Sequence, residues 1–346
     1  MDQKLLETYL DILREELVPA MGCTEPIAIA YAAALARDTL GAMPERTVLT
    51  VSGNIVKNVK SVVVPNTGGR KGMRCAVAAG LCFGKAEKEL EVIAEASEED
   101  LKAMDAWLQT ADIAIREAES ELPFDLAVTL LRGSESAYVH IVSHHTNVVC
   151  IRRNDKVLLE KPWSDKSDEI PENRSTLNVE DIVRFADCVD VELLRPILQP
   201  QIECNMAIAE IGLKGGYGAE IGKILLRSYG NSVHNRAKAW AAAGSDARMD
   251  GCELPVVINS GSGNQGLTAS VPVIVYAREC GVSDEQLYRA LVVSNLVTIH
   301  LKTGIGSLSA YCGATSAGAG AGAGVCYLYG GRYQEIAHTI VNALAI

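Results

Sequence analysis

One cysteine stands where a helix is predicted to begin. In the segment Gly22-Cys23-Thr24-Glu25-Pro26, the glycine ends one helix and the proline fits the first turn of the next. Cys23 is therefore expected at a helix N-terminus, where the helix dipole and free backbone N–H groups favour a thiolate. Such a thiolate can act as a general base or as a nucleophile. A small buried cysteine in a tight interhelical turn would give the same pattern.

Three turns rich in glycine, amides and hydroxyls are candidates for binding a small anion, such as the carboxylate of an amino acid. They lie at residues 52–54, 65–69 and 260–266. Their candidate substrate-binding side chains are Ser52, Asn54, Asn66, Thr67, Ser260, Ser262, Asn264 and Gln265. None of the turns matches a P-loop or the glycine fingerprint of a Rossmann unit. Ordinary loops contain the same residue types, so each turn alone is weak evidence.

The ten cysteines do not indicate a disulfide framework or a zinc ribbon, because the chain is long and has no CxxC pair. No HExxH motif is present either, so zinc is not predicted. Cys312, which precedes Gly313, is a candidate metal ligand. One cysteine cannot hold an iron–sulfur cluster, which usually requires three or four thiolates. The small-residue segment from Ala314 to Gly324 is expected to form a closely packed helix.

Composition excludes several classes of protein. With a formal net charge of −11 and only 5% aromatic residues, the chain is not expected to bind nucleic acid or an anionic membrane. Residues Met1 to Glu16 are typical of an amphipathic charged helix and not of a secretory signal. No uncharged apolar run has the composition of a membrane-spanning helix. A cytoplasmic location is therefore expected.

The elements that must position these residues follow from periodicity. Helical spacing of apolar residues predicts helices over 5–17, 26–40 and 98–109, the last with Ser97 as N-cap, and a mainly helical chain from Val179 onward. Runs of β-branched and apolar residues predict strands at 48–51, 59–64, 126–131, 137–143 and 148–152. The predicted fold class is α+β, with a mixed α/β region at 46–175 inserted between N-terminal helices at 1–45 and a helical, glycine-rich region at 176–346.

Several segments together resemble the cysteine desulfidase family, which is related to the iron–sulfur serine dehydratase alpha chains. They run in family order from residue 22 to residue 313. The matching segments are Gly22-Cys23-Thr24-Glu25-Pro26, Ser52-Gly53-Asn54, Pro65-Asn66-Thr67-Gly68, His145-Thr146-Asn147, Arg236-Ala237-Lys238, Asp246-Ala247-Arg248-Met249, Ser260 through Gly266, Ser294-Asn295-Leu296 and Ser309-Ala310-Tyr311-Cys312-Gly313.

The resemblance implies a serine dehydratase alpha-chain-like fold and a lyase that eliminates sulfide from L-cysteine, leaving pyruvate and ammonia. It implies that Cys23 is the catalytic base and that Cys312 is the first ligand of a [4Fe-4S] cluster. The family's other two ligands form a cysteine pair that would follow Ile346, and Cys280 and Cys326 do not match their positions. We therefore expect no stoichiometric cluster on the 346 residues alone.

Two alternatives remain open. The first is an L-serine or L-threonine dehydratase, because the site segments do not distinguish a thiol from a hydroxyl leaving group. The second is a non-catalytic amino-acid-binding relic that lacks the cluster. The expected partner is a small amino acid, with L-cysteine as the first candidate. Assembly into a homo-oligomer is compatible with the sequence.

Overall fold

A computed structural model of the chain describes residues 1–22, 24–60, 62–164, 172–305 and 313–345. Its helices are α1 (Gln3–Glu16), α2 (Thr24–Leu40), α3 (Gly53–Val59), α4 (Met73–Phe83), α5 (Glu98–Thr110), α6 (Glu172–Ser175), α7 (Val179–Cys188), α8 (Val191–Lys214), α9 (Ile221–Tyr229), α10 (Val233–Met249), α11 (Gly263–Cys280), α12 (Asp284–Ile305), α13 (Gly313–Leu328) and α14 (Tyr333–Leu344). Its strands are β1 (Pro19–Met21), β2 (Arg46–Val51), β3 (Asp112–Glu117), β4 (Asp125–Arg132), β5 (Glu135–Val142), β6 (Val148–Arg153), β7 (Lys156–Glu160) and β8 (Pro255–Val257).

The chain forms two compact units. One comprises residues 1–20 and 170–346 and is helical apart from the short β1–β8 pair. The other comprises residues 21–169 and contains a six-stranded sheet. The predicted α+β class is confirmed, since a mainly helical part is combined with a mixed sheet. The predicted domain limits at 45/46 and 175/176 stay a prediction.

Glycines set the spacing of the helices in the helical unit. In α13, a methyl group at Gly320 would lie 2.1 Å from Thr298 Oγ1, and one at Gly324 would lie 2.8 Å from the Ala290 carbonyl oxygen. Both contacts are with α12, and the two glycines are four residues apart on one helix face. The predicted close packing of this small-residue helix is therefore confirmed.

The N-terminal helix is anchored in the same unit by an aromatic contact. The rings of Tyr9 and Phe185 meet edge to face with centroids 5.4 Å apart. The Tyr9 hydroxyl donates to the carbonyl of Thr176 at 3.0 Å. Burial raises the pKa of Tyr9 to about 12, so this phenol stays neutral and donates its proton at physiological pH.

The sheet of the other unit has the strand order β3-β2-β4-β5-β6-β7. Strands β2 and β3 are parallel, and every other neighbouring pair is antiparallel. Helix α2 packs on β4 and β5 and crosses α4. A methyl group at Gly80 of α4 would lie 2.1 Å from the Ala30 carbonyl oxygen of α2, so this crossing requires glycine.

Most predicted elements are confirmed to within a few residues, among them the Ser97 cap, which forms a complete capping box with Asp100. The strand predicted at 59–64 is wrong. Val59 is the buried last residue of α3, and Val63 makes an isolated bridge to Lys71. Strands β3 and β7 were not predicted, because their mixed polar faces give no clear alternation.

No helix in the described part of the chain combines the length and the apolar character needed to cross a membrane.

The glycine pattern of α13 gives a test. Gly320→Ala will lower the free energy of unfolding by about 1–3 kcal/mol, because its methyl group overpacks the contact with α12. Gly318→Ala is the matched control, since nothing lies within 4 Å of the added carbon. It will stabilise the protein by up to about 1 kcal/mol through helix propensity. Urea denaturation of both variants measures this, and equal effects would contradict the packing argument.

Candidate functional site

A tight turn leads directly from β8 into α11. The backbones of Asn259 and Ser262 exchange two hydrogen bonds of 3.1 Å. Between them, Ser260 and Gly261 have φ angles of 49° and 76°, as in a type I′ turn. The Ser260 hydroxyl donates to the side-chain oxygen of Asn259 at 2.9 Å. Helix α11 begins at Gly263, so the turn fixes where this helix N-terminus lies.

The first turn of α11 lies against a buried guanidinium. Ser262, at the N-cap, makes no side-chain hydrogen bond to the helix. A methyl group at Gly263 would lie 2.3 Å from the Nε of Arg248, and Nη1 of that arginine donates to the side-chain oxygen of Asn264 at 3.1 Å. A helix N-terminus beside a buried cation is an environment that favours an anion.

Gln265 connects the same turn to the start of α13. Its side chain is only 7% exposed, and a methyl group at Gly313 would lie 2.3 Å from its Cδ. The buried Oε1 of Gln265 has no hydrogen-bond partner among the residues that the structure describes. The structure thus brings together two segments that the sequence analysis singled out separately. Cys312, which precedes Gly313, lies outside the described residues.

A buried network of amides lies next to the turn. Asn295 on α12 exchanges two hydrogen bonds with Gln201 on α8, of 3.0 and 2.8 Å. The side-chain nitrogen of Asn259 donates to Asn295 Oδ1 at 2.9 Å. All three side chains are fully buried. Because each polar atom of Asn295 is used, the position of Asn259 at the base of the turn is fixed.

Asn205 holds the strand before the turn. Its side-chain oxygen accepts from the Val257 N–H at 2.8 Å, while its nitrogen donates to the Val257 carbonyl at 3.2 Å and to Ser270 Oγ at 2.9 Å. The amide therefore binds β8 as a neighbouring strand would. Gln201 and Asn205 were not predicted from the sequence as functional residues. Their spacing of four residues on an otherwise apolar helix face was the available signal.

In the sheet unit, the predicted binding groups hydrogen bond to their own unit. The Ser52 hydroxyl donates to the Pro123 carbonyl at 2.8 Å, and Asn54 is exposed. Asn66 has a φ of 54° and donates to the Ile93 carbonyl at 2.9 Å. The Thr67 hydroxyl donates to the Val64 carbonyl at 2.6 Å. These bonds stabilise turns, and a role in substrate binding stays a prediction.

The segments around Cys23 converge within that unit. A methyl group at Gly22 would lie 2.1 Å from Pro65 Cγ, so the turn before α2 packs on the Pro65 turn. The side-chain nitrogen of Asn58, on α3, donates to Glu25 Oε1 at 3.1 Å. Helix α2 begins at Thr24. Cys23 itself lies outside the described residues.

The sheet unit also contains a cavity of about 280 Å³ that the sequence analysis did not predict. His140 lines it, and its Nε2 lies 2.8 Å from Asp125 Oδ1. The ring of Trp163 meets that of His140 edge to face at 5.0 Å. Burial would raise the pKa of Asp125, but hydrogen bonds from His140 and Ser120 hold it below its usual value. The carboxylate is therefore ionised and orients the imidazole.

Known proteins place this architecture in a family. A model of the serine dehydratase alpha chain family matches residues 87–346. A UPF0597 protein of Desulfitobacterium hafniense is 55% identical over 340 residues, which are 98% of this chain and 79% of that relative. A UPF0597 protein of Treponema denticola is 47% identical over 350 residues, and the match covers 99% of this chain and 81% of that relative.

The chain therefore belongs to the serine dehydratase alpha chain family, together with the UPF0597 proteins that it resembles along nearly its whole length. Serine dehydratase alpha chains are typically iron–sulfur dependent. In the residues that the structure describes, no three His, Cys, Asp or Glu side chains form a group that could hold a metal ion. These residues do not by themselves supply the ligand set of such a cluster.

The amide network gives a second test. Asn295→Leu will lower the free energy of unfolding by about 3 kcal/mol or more, because Gln201 and Asn259 lose partners while buried. The matched control is Asn231→Leu, at an exposed position in the same unit, with an expected change within about 0.5 kcal/mol. Denaturant midpoints of the two variants decide this. Similar midpoints would show that the network contributes little stability.

Proposed function

We propose that this chain is a lyase that eliminates sulfide from L-cysteine. Membership of the serine dehydratase alpha chain family supports a lyase that acts on a small α-amino acid. The observation that carries the proposal is the contact between Gln265 and Gly313, which places the anion-favouring N-terminus of α11 beside the residue that follows Cys312. Substrate binding and departure of the sulfur would then take place in one region of the helical unit.

The reaction needs a base for the proton on the α-carbon. Removal of that proton and cleavage of the bond between Cβ and sulfur release hydrosulfide and leave an enamine. The enamine tautomerises to an imine, and water hydrolyses the imine to pyruvate and ammonia. We assign the first step to the thiolate of Cys23, on the basis of the family resemblance and of its place in the chain directly before α2.

A fixed anion site contributes to this chemistry. A carboxylate at the N-terminus of α11 would be held by backbone N–H groups that the amide network keeps in place, so little reorganisation is needed when substrate binds. Buried polar groups also interact more strongly with charge than exposed ones do. Cys312 remains the proposed ligand of a [4Fe-4S] cluster.

The second candidate is the elimination of water from L-serine or L-threonine. It is favoured by the description of the matching family, and it requires the same proton abstraction. Sulfide release from L-cysteine and pyruvate formation from L-serine, measured on the same anaerobically purified preparation, separate the two activities. A higher kcat/KM for L-serine would replace the proposed substrate without changing the class of reaction.

Substitution of the proposed base is the direct test. Cys23→Ser will reduce kcat for sulfide release by at least about a hundredfold, since a serine hydroxyl is a far weaker base, while circular dichroism and the melting temperature stay those of the parent. Cys188→Ser changes an exposed cysteine and is the control. Turnover in Cys23→Ser that matches the parent, at equal iron content, would assign the proton transfer to another group.

A further inference from the structure

Arg248 is a buried cation without a carboxylate partner. The residue lies at the end of α10 and is 4% exposed. It forms no ion pair within the described residues. Nη1 contacts Asn264 Oδ1 at 3.1 Å and Met249 Sδ at 3.5 Å, whereas Nε is buried and has no acceptor in the described part of the chain. Such a group is unfavourable unless an anion joins it.

The acidic residues nearest in sequence have other partners. Asp246 accepts a hydrogen bond from the Ile221 N–H at 2.8 Å, and Asp250 accepts one from the Gly218 N–H at 3.1 Å. Both carboxylates therefore hold the segment that leads into α9. They stand two residues on either side of Arg248, on other faces of the helix.

The unused part of the guanidinium is the part that recognises carboxylates. Nε and Nη2 form one edge of the planar group, and this edge can donate two parallel hydrogen bonds to the two oxygens of a carboxylate. Nε lies against Gly263, the first residue of α11. The N-terminus of α11 and the buried Nε of Arg248 beside Gly263 therefore favour the same charge.

A second buried polar atom in the first turn of α11 is an acceptor, so it requires a hydrogen-bond donor. Gln265 Oε1, two residues after Gly263, is a buried acceptor for which the described residues provide no donor. A buried unpaired acceptor is as costly as a buried unpaired donor. An α-amino acid carries both complements, because its carboxylate accepts hydrogen bonds and its ammonium group donates them.

We propose that Arg248 binds the α-carboxylate of a small α-amino acid and that Gln265 Oε1 accepts a hydrogen bond from its α-ammonium group. The assignment deepens the proposed function by naming the side chains that recognise the substrate. It rests on that function for the reaction, but the binding can be measured without any turnover.

L-Alanine is the probe, because it carries both charged groups and no leaving group. Its dissociation constant is measured by calorimetry on the parent protein and on Arg248→Met, Arg248→Lys and Gln265→Met. Arg278→Met, at an exposed position of α11, is the matched control. Propionate, which lacks the ammonium group, and alaninamide, which lacks the carboxylate, test each end of the ligand.

We expect Arg248→Met to weaken L-alanine binding at least tenfold. Arg248→Lys should weaken it less, since lysine keeps the positive charge but cannot donate two parallel hydrogen bonds. Gln265→Met should weaken L-alanine but leave propionate unchanged. The unliganded Arg248→Met protein should melt at the parent temperature or above it, because a buried unpaired cation is gone. A purely structural arginine would instead lower that temperature.

Parent-like affinity for L-alanine in Arg248→Met would overturn the assignment, as would equal affinity of the parent for alaninamide and L-alanine.

The binding proposal and the elimination proposal can be refuted separately. If L-alanine binds through Arg248 but a preparation with reconstituted cluster consumes neither L-cysteine nor L-serine, the elimination is wrong and the binding site stands. If L-cysteine is consumed with the same KM in Arg248→Met, the binding site is wrong and the elimination stands.

Discussion

The geometry of the helical unit depends on buried side-chain amides that make the hydrogen bonds a neighbouring strand would otherwise make. Strand β8 is only three residues long, and on the side facing α8 its backbone hydrogen bonds to Asn205. Asn295 then fixes Asn259, where the chain turns into α11. Because these groups are buried, each lost bond would leave an unpaired polar atom, so the arrangement has few alternatives. The position of the α11 N-terminus follows from it.

Glycine provides the second constraint, since backbones can meet closely only where no side chain stands between them. A methyl group at Gly212 would lie 2.0 Å from the Ala243 carbonyl oxygen, and one at Gly266 would lie 2.1 Å from that of Val257. Helices α8 and α10, and helix α11 with β8, are thus in direct backbone contact. Close backbone contact explains these glycines, whereas many others in the described chain have a positive φ in turns and at helix ends.

The predicted binding turns of the two units differ in a way that matters for function. In the sheet unit, Ser52, Asn66 and Thr67 use their polar groups within their own turns. In the helical unit, Arg248 and Gln265 each have a buried polar atom that finds no partner within the described ranges. A folded protein leaves few such atoms unpaired unless a ligand completes them. Thr47 Oγ1 in the sheet unit is also such an atom among the described residues, so the difference between the units applies to their predicted binding turns.

The sequence by itself determined the local structure: the apolar patterns that give α1 and α2, the Ser97 cap of α5, the apolar runs of β4 and β5, and the tight turn at Ser260. Each depends on residues within one turn or strand. The tertiary structure alone decided the partners of Arg248, Gln201 and Asn205. Gln201 bonds a residue 94 positions away and Asn205 one 52 positions away, and no local pattern encodes such distances. The strand prediction at Val59 is wrong for a related reason. A β-branched residue fits a buried helix end as well as a strand, and tertiary packing decides between the two.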